Sequence, residues 1–156
     1  MTAQTNTEDD VVQVRREGEH IAVVTLNRPH RRNAINGALA QALDRTVKAL
    51  EADPAVRAVI LTAAGRQAFC AGADLKEMAA GADAASRSTP DGGFAGFVFA
   101  PRRKLWIAAV NGPAVAGGFE LVLACDMAIA STDAHFSLPE VSRGLVASAG
   151  GVFADR

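Results

Sequence analysis

Trp106-Ile107-Ala108-Ala109-Val110-Asn111-Gly112-Pro113-Ala114-Val115-Ala116-Gly117-Gly118-Phe119-Glu120-Leu121-Val122-Leu123-Ala124-Cys125-Asp126-Met127-Ala128-Ile129-Ala130 is the stretch that decides the fold. Trp106 to Val110 is a short apolar run closed by a turn signal, Asn111-Gly112-Pro113, and reads as a buried strand. Gly117 to Ala124 is apolar and turn-free and reads as a short helix. Met127 to Ala130 is a further buried strand. Strand, helix, strand within about 25 residues is the unit from which α/β folds are built.

The same alternation continues upstream. Val12 to Arg16 and Ile21 to Leu26 read as strands, with Glu17-Gly18-Glu19 as the turn between them. Asn36 is an N-cap candidate, and Ala38 to Ala52 carries Leu39, Leu43, Val47 and Leu50 at helical spacing. Asp53-Pro54 stops that helix. Ala58 to Leu61 reads as a strand buried on both faces, and Asp74 as the cap of a brief helix, Leu75 to Ala80. Residues 81–93, rich in Gly, Ala, Ser and Asp, read as a mobile loop, and Phe94 to Phe99 as the opening of another helix that ends near Pro101. Downstream, Pro139 suits the first position of a helix and leaves Glu140 in its first turn.

Composition bounds the partners. The 156 residues suit one domain with a real core, and a net charge of −1 offers no basic excess for nucleic acid or an anionic membrane. No apolar run approaches the roughly 18 residues that span a bilayer. Local clusters, Arg31-Arg32 and Arg102-Arg103-Lys104, could each still hold one anionic ligand. Cys70 and Cys125 form no CxxC pair, which argues against a disulfide scaffold or a zinc site and suits a reducing cytoplasm. Residues 1–10 are polar and acidic and read as a disordered N-terminal tail, leaving 11–156 as the core.

Three segments could carry chemistry. In Ala71-Gly72-Ala73-Asp74, small residues let the backbone approach a ligand where unpaired amides open a helix; taken alone, a plain strand–helix turn with a capping aspartate is the commoner reading. In Ala116-Gly117-Gly118-Phe119-Glu120, an exposed amide and a carboxylate three residues on share one helical face, as an oxyanion donor and a general base would; a first-turn Glu favoured by the helix dipole is the plainer alternative. A Glu between Phe119 and Leu121 is nonetheless a carboxylate in an apolar run, and buried carboxylates are rare without a partner or a function. In Phe136-Ser137-Leu138-Pro139-Glu140, the second acid reads as a solvated cap when taken alone. Together, two amide sites could grip a thioester oxygen and two glutamates could share a water. Losing one oxyanion donor typically costs on the order of 3–4 kcal/mol of transition-state stabilisation.

These segments, in this order, resemble the crotonase (enoyl-CoA hydratase/isomerase) superfamily. Leu26-Asn27-Arg28-Pro29 with Arg32-Asn33-Ala34-Ile35-Asn36 resembles its opening motif. Val59-Ile60-Leu61-Thr62 with Phe69-Cys70-Ala71-Gly72-Ala73-Asp74-Leu75 resembles its first oxyanion-hole motif. Ile107 to Gly112 through Gly117-Gly118-Phe119-Glu120-Leu121 to Cys125-Asp126 resembles the second, and Phe136 to Glu140 resembles the segment with the second acid. The resemblance spans residues 11–153 and implies an α/β, crotonase-like ββα-repeat (spiral) core, truncated before the C-terminal helical trimerisation region.

The resemblance also implies roles. The backbone N–H groups of Ala73 and Gly117 would form the oxyanion hole, and Glu120 and Glu140 would be the catalytic acids of a hydratase. CoA contact would fall on Arg28, Arg31, Arg32, Ala34, Ala71, Gly72, Asp74, Leu75 and Gly118. His30 and His135 have no matching role. The implied activity is reversible addition of water across the 2,3 double bond of an enoyl-CoA thioester. Isomerisation, carnitinyl-CoA dehydration or an inactive fragment are the alternatives. Coenzyme A is part of the substrate, and no metal or other cofactor is implied. A homo-trimer or hexamer is expected for full-length members. Where common hydratases carry Pro and Gly after the residue matching Gly144, this chain reads Leu145-Val146-Ala147-Ser148, a change that bears on acyl specificity.

Overall fold

The computed structural model describes residues 10–144 and 146–151. Residues 1–9 of the expected tail, and positions 145 and 152–156 of the expected core, lie outside the described residues. Two strands open the chain, β1 (Val12–Glu17) and β2 (Ile21–Leu26), paired antiparallel around Gly18, with Val12 opposite Leu26. Helix α1 (Gly37–Ala52) follows and buries Leu39, Leu43, Val47 and Leu50, spaced three or four residues apart on one face, with Ala40 beside them. Its N-cap is Asn36, whose Oδ1 accepts from the Leu39 N–H at 3.0 Å. Asp53 and Pro54 end it, as the sequence predicts.

Strand β3 (Ala58–Ala63) pairs parallel to β2, β6 (Leu105–Val110) parallel to β3, and β8 (Met127–Ala130) parallel to β6, giving the order β1-β2-β3-β6-β8. The α/β architecture read from the sequence is therefore the one observed. Burial differs from expectation in two places. In β3 and β6 alternate residues are buried (Val59, Leu61, Ala63; Trp106, Ala108, Val110), so only one face is fully covered. All four residues of β8 are exposed, because it is the sheet's edge and no described element packs over it; Ile129 is 67% exposed.

Residues 81–100 depart further from expectation. Ala84–Arg87 is a 3-10 turn, and β4 (Ser88–Thr89) pairs antiparallel with β5 (Gly93–Phe94) as a miniature hairpin. That hairpin is fastened to α1 by Thr89, whose buried hydroxyl donates to Asp44 at 2.8 Å. Where the sequence predicts a helix over Phe94 to Phe99, Phe94 ends β5 and residues 95–99 are a string of turns. Ala95 and Gly96 have φ of 59° and 66°, and i-to-i−3 bonds such as Phe97 N–H to Phe94 O replace the helical pattern. Phe97 is buried edge-on to Trp106, with centroids 5.1 Å apart.

In the Arg102-Arg103-Lys104 cluster two of the three cationic side chains are engaged by backbone carbonyls. Arg102 donates to the carbonyls of Phe97 and Ala124, and Lys104 to those of Leu50 and Asp53, while the Arg103 N–H is held by Glu51. These cations close the ends of α1 and α3 (Gly117–Leu123) onto the turns beside them.

Candidate active site

Two turns leave the carboxyl ends of neighbouring parallel strands, β3 and β6, where open α/β sheets commonly place ligands. The first leads into α2 (Leu75–Ala79) and the second, through the short β7 (Ala114–Val115), into α3. Backbone bonds lace the turns together: Phe69 N–H to Pro113 O, Val115 N–H to Cys70 O. Two glycines make the approach possible. A Cβ on Gly118 would lie 2.1 Å from the Cys70 carbonyl oxygen, and one on Gly72, which has φ +83°, would lie 3.1 Å from the Gly117 nitrogen.

The consequence is a pair of free donors. Among the described residues neither the Ala73 nor the Gly117 N–H makes a hydrogen bond, although the amides around them do: Ala71 to Arg32 O, Asp74 to Ile35 O, Ala116 to Ser137 O. Ala73 and Gly117 both line one cavity of about 540 Å³. Ala116, which caps α3, sits at φ 53°, ψ −129°, a region that residues with a Cβ rarely occupy. The strain is held by its N–H bond to Ser137 O and by the pairing of β7 with β9 (Phe136–Ser137).

Glu120 and Glu140 line the same cavity. Glu120 is 3% exposed on the inner face of α3. Its Oε1 accepts the N–H groups of Ala149 at 2.8 Å and Gly151 at 2.9 Å. Burial pushes its carboxyl above the ordinary range; the two N–H donors oppose this, and the nearby Glu140 charge adds to it. Glu140 opens a 3-10 turn, Glu140–Arg143, that Pro139 precedes rather than begins, and its Oε2 is buried with no hydrogen-bond partner among the described residues. A buried carboxylate oxygen without a donor is a place for a water or a substrate group.

The remaining expected site residues divide. Ala71 and Leu75 line the cavity. Arg31 and Arg32 are exposed outside it, with the Arg32 carbonyl bonded to the Ala71 N–H, so they flank the first turn. Gly72, Gly118 and Ala34 are buried and act by close packing. Arg28, also expected at CoA, is engaged within the fold. It is 6% exposed, and its guanidinium donates to Asp74 at 3.0 Å, Glu77 at 3.1 Å and the Ala34 carbonyl at 2.6 Å. Asp74 is thus a buried cap and ion-pair partner that fastens the first turn to the opening motif. Asn33, fully buried at φ 53°, does the same work through Nδ2 bonds to the Ala64 and Ala68 carbonyls.

Cys70 is a packed thiol, its pKa pushed up to about 12 by burial and only partly offset by the Gly72 N–H. His30 and His135 are exposed, and no group of three or more His, Cys, Asp or Glu among the described residues is placed to hold a metal ion. Sequence reasoning missed the Ala149 and Gly151 donors, for which the Gly150-Gly151 pair was the only signal.

A family model described as enoyl-CoA hydratase/isomerase matches residues 16–154. The chain belongs to this family. It is 44% identical over 135 residues to a mevalonyl-coenzyme A hydratase of Aspergillus fumigatus, covering 84% of this chain and 48% of that protein. A probable enoyl-CoA hydratase of Rhizobium meliloti is also 44% identical, over 84% of this chain and 50% of that protein. Among solved structures, a carnitinyl-CoA dehydratase from Mycobacterium avium superposes with a TM-score of 0.86 at 47% identity, covering 92% of this chain and 56% of that one. The chain therefore spans about half the length of the relatives it matches. No helix among the described residues is long and apolar enough to cross a membrane.

Proposed function

We propose that this protein of the enoyl-CoA hydratase/isomerase family catalyses reversible hydration of the 2,3 double bond of an enoyl-CoA thioester. One observation carries the reading: two free backbone donors, Ala73 and Gly117, and two carboxylates, Glu120 and Glu140, line one cavity. The thioester oxygen accepts from both N–H groups, which stabilise the enolate that forms as charge moves onto it. A water lies between the glutamates. One carboxylate takes a proton as the water oxygen bonds to C3, and the other acid delivers a proton to C2. The reverse sequence is dehydration.

Coenzyme A enters as part of the substrate, and the chemistry needs no metal, flavin or nicotinamide. Arg31 and Arg32 are the exposed cations beside the first turn and serve the CoA phosphates. Assembly as a trimer or dimer of trimers is part of the same proposal, supported by the apolar edge at Met127 and Ile129. So are a place in fatty-acid metabolism and a cytoplasmic location. The test is the ultraviolet absorbance of crotonyl-CoA, which falls on hydration of its conjugated double bond. Glu120→Gln and Glu140→Gln should each slow that fall by about 10²–10⁴-fold while CoA binding persists. Undiminished turnover in either variant overturns the reading.

A further inference from the structure

The cavity wall built by residues 75–99 is mostly apolar, with Leu75, Met78, Phe94 and Phe99, yet it includes Arg87 and Ser88 side by side. Arg87 closes the 3-10 turn and Ser88 begins β4. The carboxylates nearest to it in the sequence have other engagements: Asp83 accepts the Ala85 N–H, Asp91 pairs with Lys48, and Glu77 is held by Arg28 and Asn36. Among the described residues no carboxylate lies within ion-pair distance of Arg87, and its guanidinium has no hydrogen-bond partner. A guanidinium stays charged at any physiological pH. On an apolar wall it loses hydration whenever a ligand fills the cavity, unless that ligand brings an acceptor.

We infer that Arg87, with the Ser88 hydroxyl, selects acyl thioesters whose acyl group carries a carboxylate. The identity of the ligand as a CoA thioester rests on the hydratase reading above; the selection itself rests on the unpartnered cation. The charges of the cavity agree with this polarity. Glu120 and Glu140, which line the same cavity, repel an acyl carboxylate and Arg87 attracts it, so both effects favour its placement at the guanidinium. A planar guanidinium takes a carboxylate bidentately, and a neutral acyl chain leaves that charge desolvated and unpaired.

The test measures binding and turnover separately. Calorimetry with glutaryl-CoA and with pentanoyl-CoA should give about tenfold or more tighter binding of the carboxylated thioester. The rates of hydration of the matching 2-enoyl thioesters should show the same preference in kcat/KM. Arg87→Met should bring both preferences close to one, and Arg87→Glu should invert them, with unchanged melting temperatures showing that the variants are folded. A wild-type preference below twofold overturns the inference. So does an Arg87→Met loss shared equally by both thioesters and by free CoA, which would assign Arg87 to the CoA phosphates. Arg87-dependent preference in binding without any hydration would uphold the inference and overturn the hydratase reading instead.

Discussion

The Gly151 N–H donates to Oε1 of Glu120 across 2.9 Å, tying a carboxylate on α3 to a turn 31 residues further along the chain. A Cβ at position 151 would lie 3.1 Å from both that oxygen and the Glu120 Cγ. Gly151→Ala keeps the donor but displaces the carboxylate by a few tenths of an ångström. Misplacement on this scale at a reacting group lowers the rate by about tenfold or more. The expected outcome is a fall in kcat for crotonyl-CoA with KM little changed; a rise in KM alone would mean that Gly151 shapes binding rather than the position of Glu120.

The raised carboxyl of Glu120 sets a pH dependence of stability. Because its pKa is higher folded than unfolded, the native state holds the proton in the window above about 4.5 where the unfolded chain has released it. Stability contributed by this group therefore falls as pH rises through that window, then levels off above the folded pKa. Glu120→Gln lacks this titration and can still accept from Ala149 and Gly151 through its amide oxygen. Its melting temperature relative to wild type should climb between pH 4.5 and pH 7. A constant difference, or one that shrinks, contradicts the assigned burial.

Asp74 behaves in the opposite sense. Burial pushes its carboxyl up, but the Glu77 N–H and the Arg28 guanidinium together outweigh that and hold it below the ordinary range. Its contribution is present above the unfolded pKa and lost as pH falls through the folded one. Removing the guanidinium in Arg28→Leu leaves a carboxylate that is 4% exposed without its partner, so about 3–5 kcal/mol is lost at pH 7. Denaturant titration at pH 7 and at pH 4 checks this: the deficit should shrink at the lower pH, where Asp74 of the variant, buried without the guanidinium, takes up a proton. A deficit below about 1 kcal/mol at pH 7 would contradict a buried Arg28–Asp74 pair.

The contrast between Arg28 and Glu120 shows which features were legible before the structure. Glu120 sits between Phe119 and Leu121 in an apolar run, so its burial was legible there; helical spacing located α1, cap chemistry its Asn36, and short apolar runs the parallel strands. Arg28 lies among turn residues with no periodic signal, and its burial depends on Asp74, 46 residues away. The hairpin at residues 88–94 was hidden for the same reason: its Gly and Ser content reads as loop, and what orders it is a contact between Thr89 and Asp44 on α1. The exposure of β8 was also invisible, since an apolar tetrapeptide looks the same at an edge as at the centre of a sheet. The resemblance pointed to the amides and acids that the cavity brings together, whereas the long-range contacts that support them carried no local signal.

Ala116 offers the sharpest separation of stability from activity. Its φ of 53° and ψ of −129° suit glycine, and holding a Cβ there costs on the order of 1–3 kcal/mol. Ala116→Gly removes that strain but frees the unfolded chain, which returns roughly 0.5–1 kcal/mol. The net expectation is a gain of about 1 kcal/mol in denaturant unfolding. Activity should move the other way, because the Cβ that is lost helps to fix the peptide that aims the Gly117 N–H into the cavity. The decisive measurement pairs the unfolding midpoint with kcat for crotonyl-CoA. Lower kcat with higher stability identifies the strained turn as the device that presents the oxyanion donor, whereas a fall in both would show that Ala116 is held by packing alone.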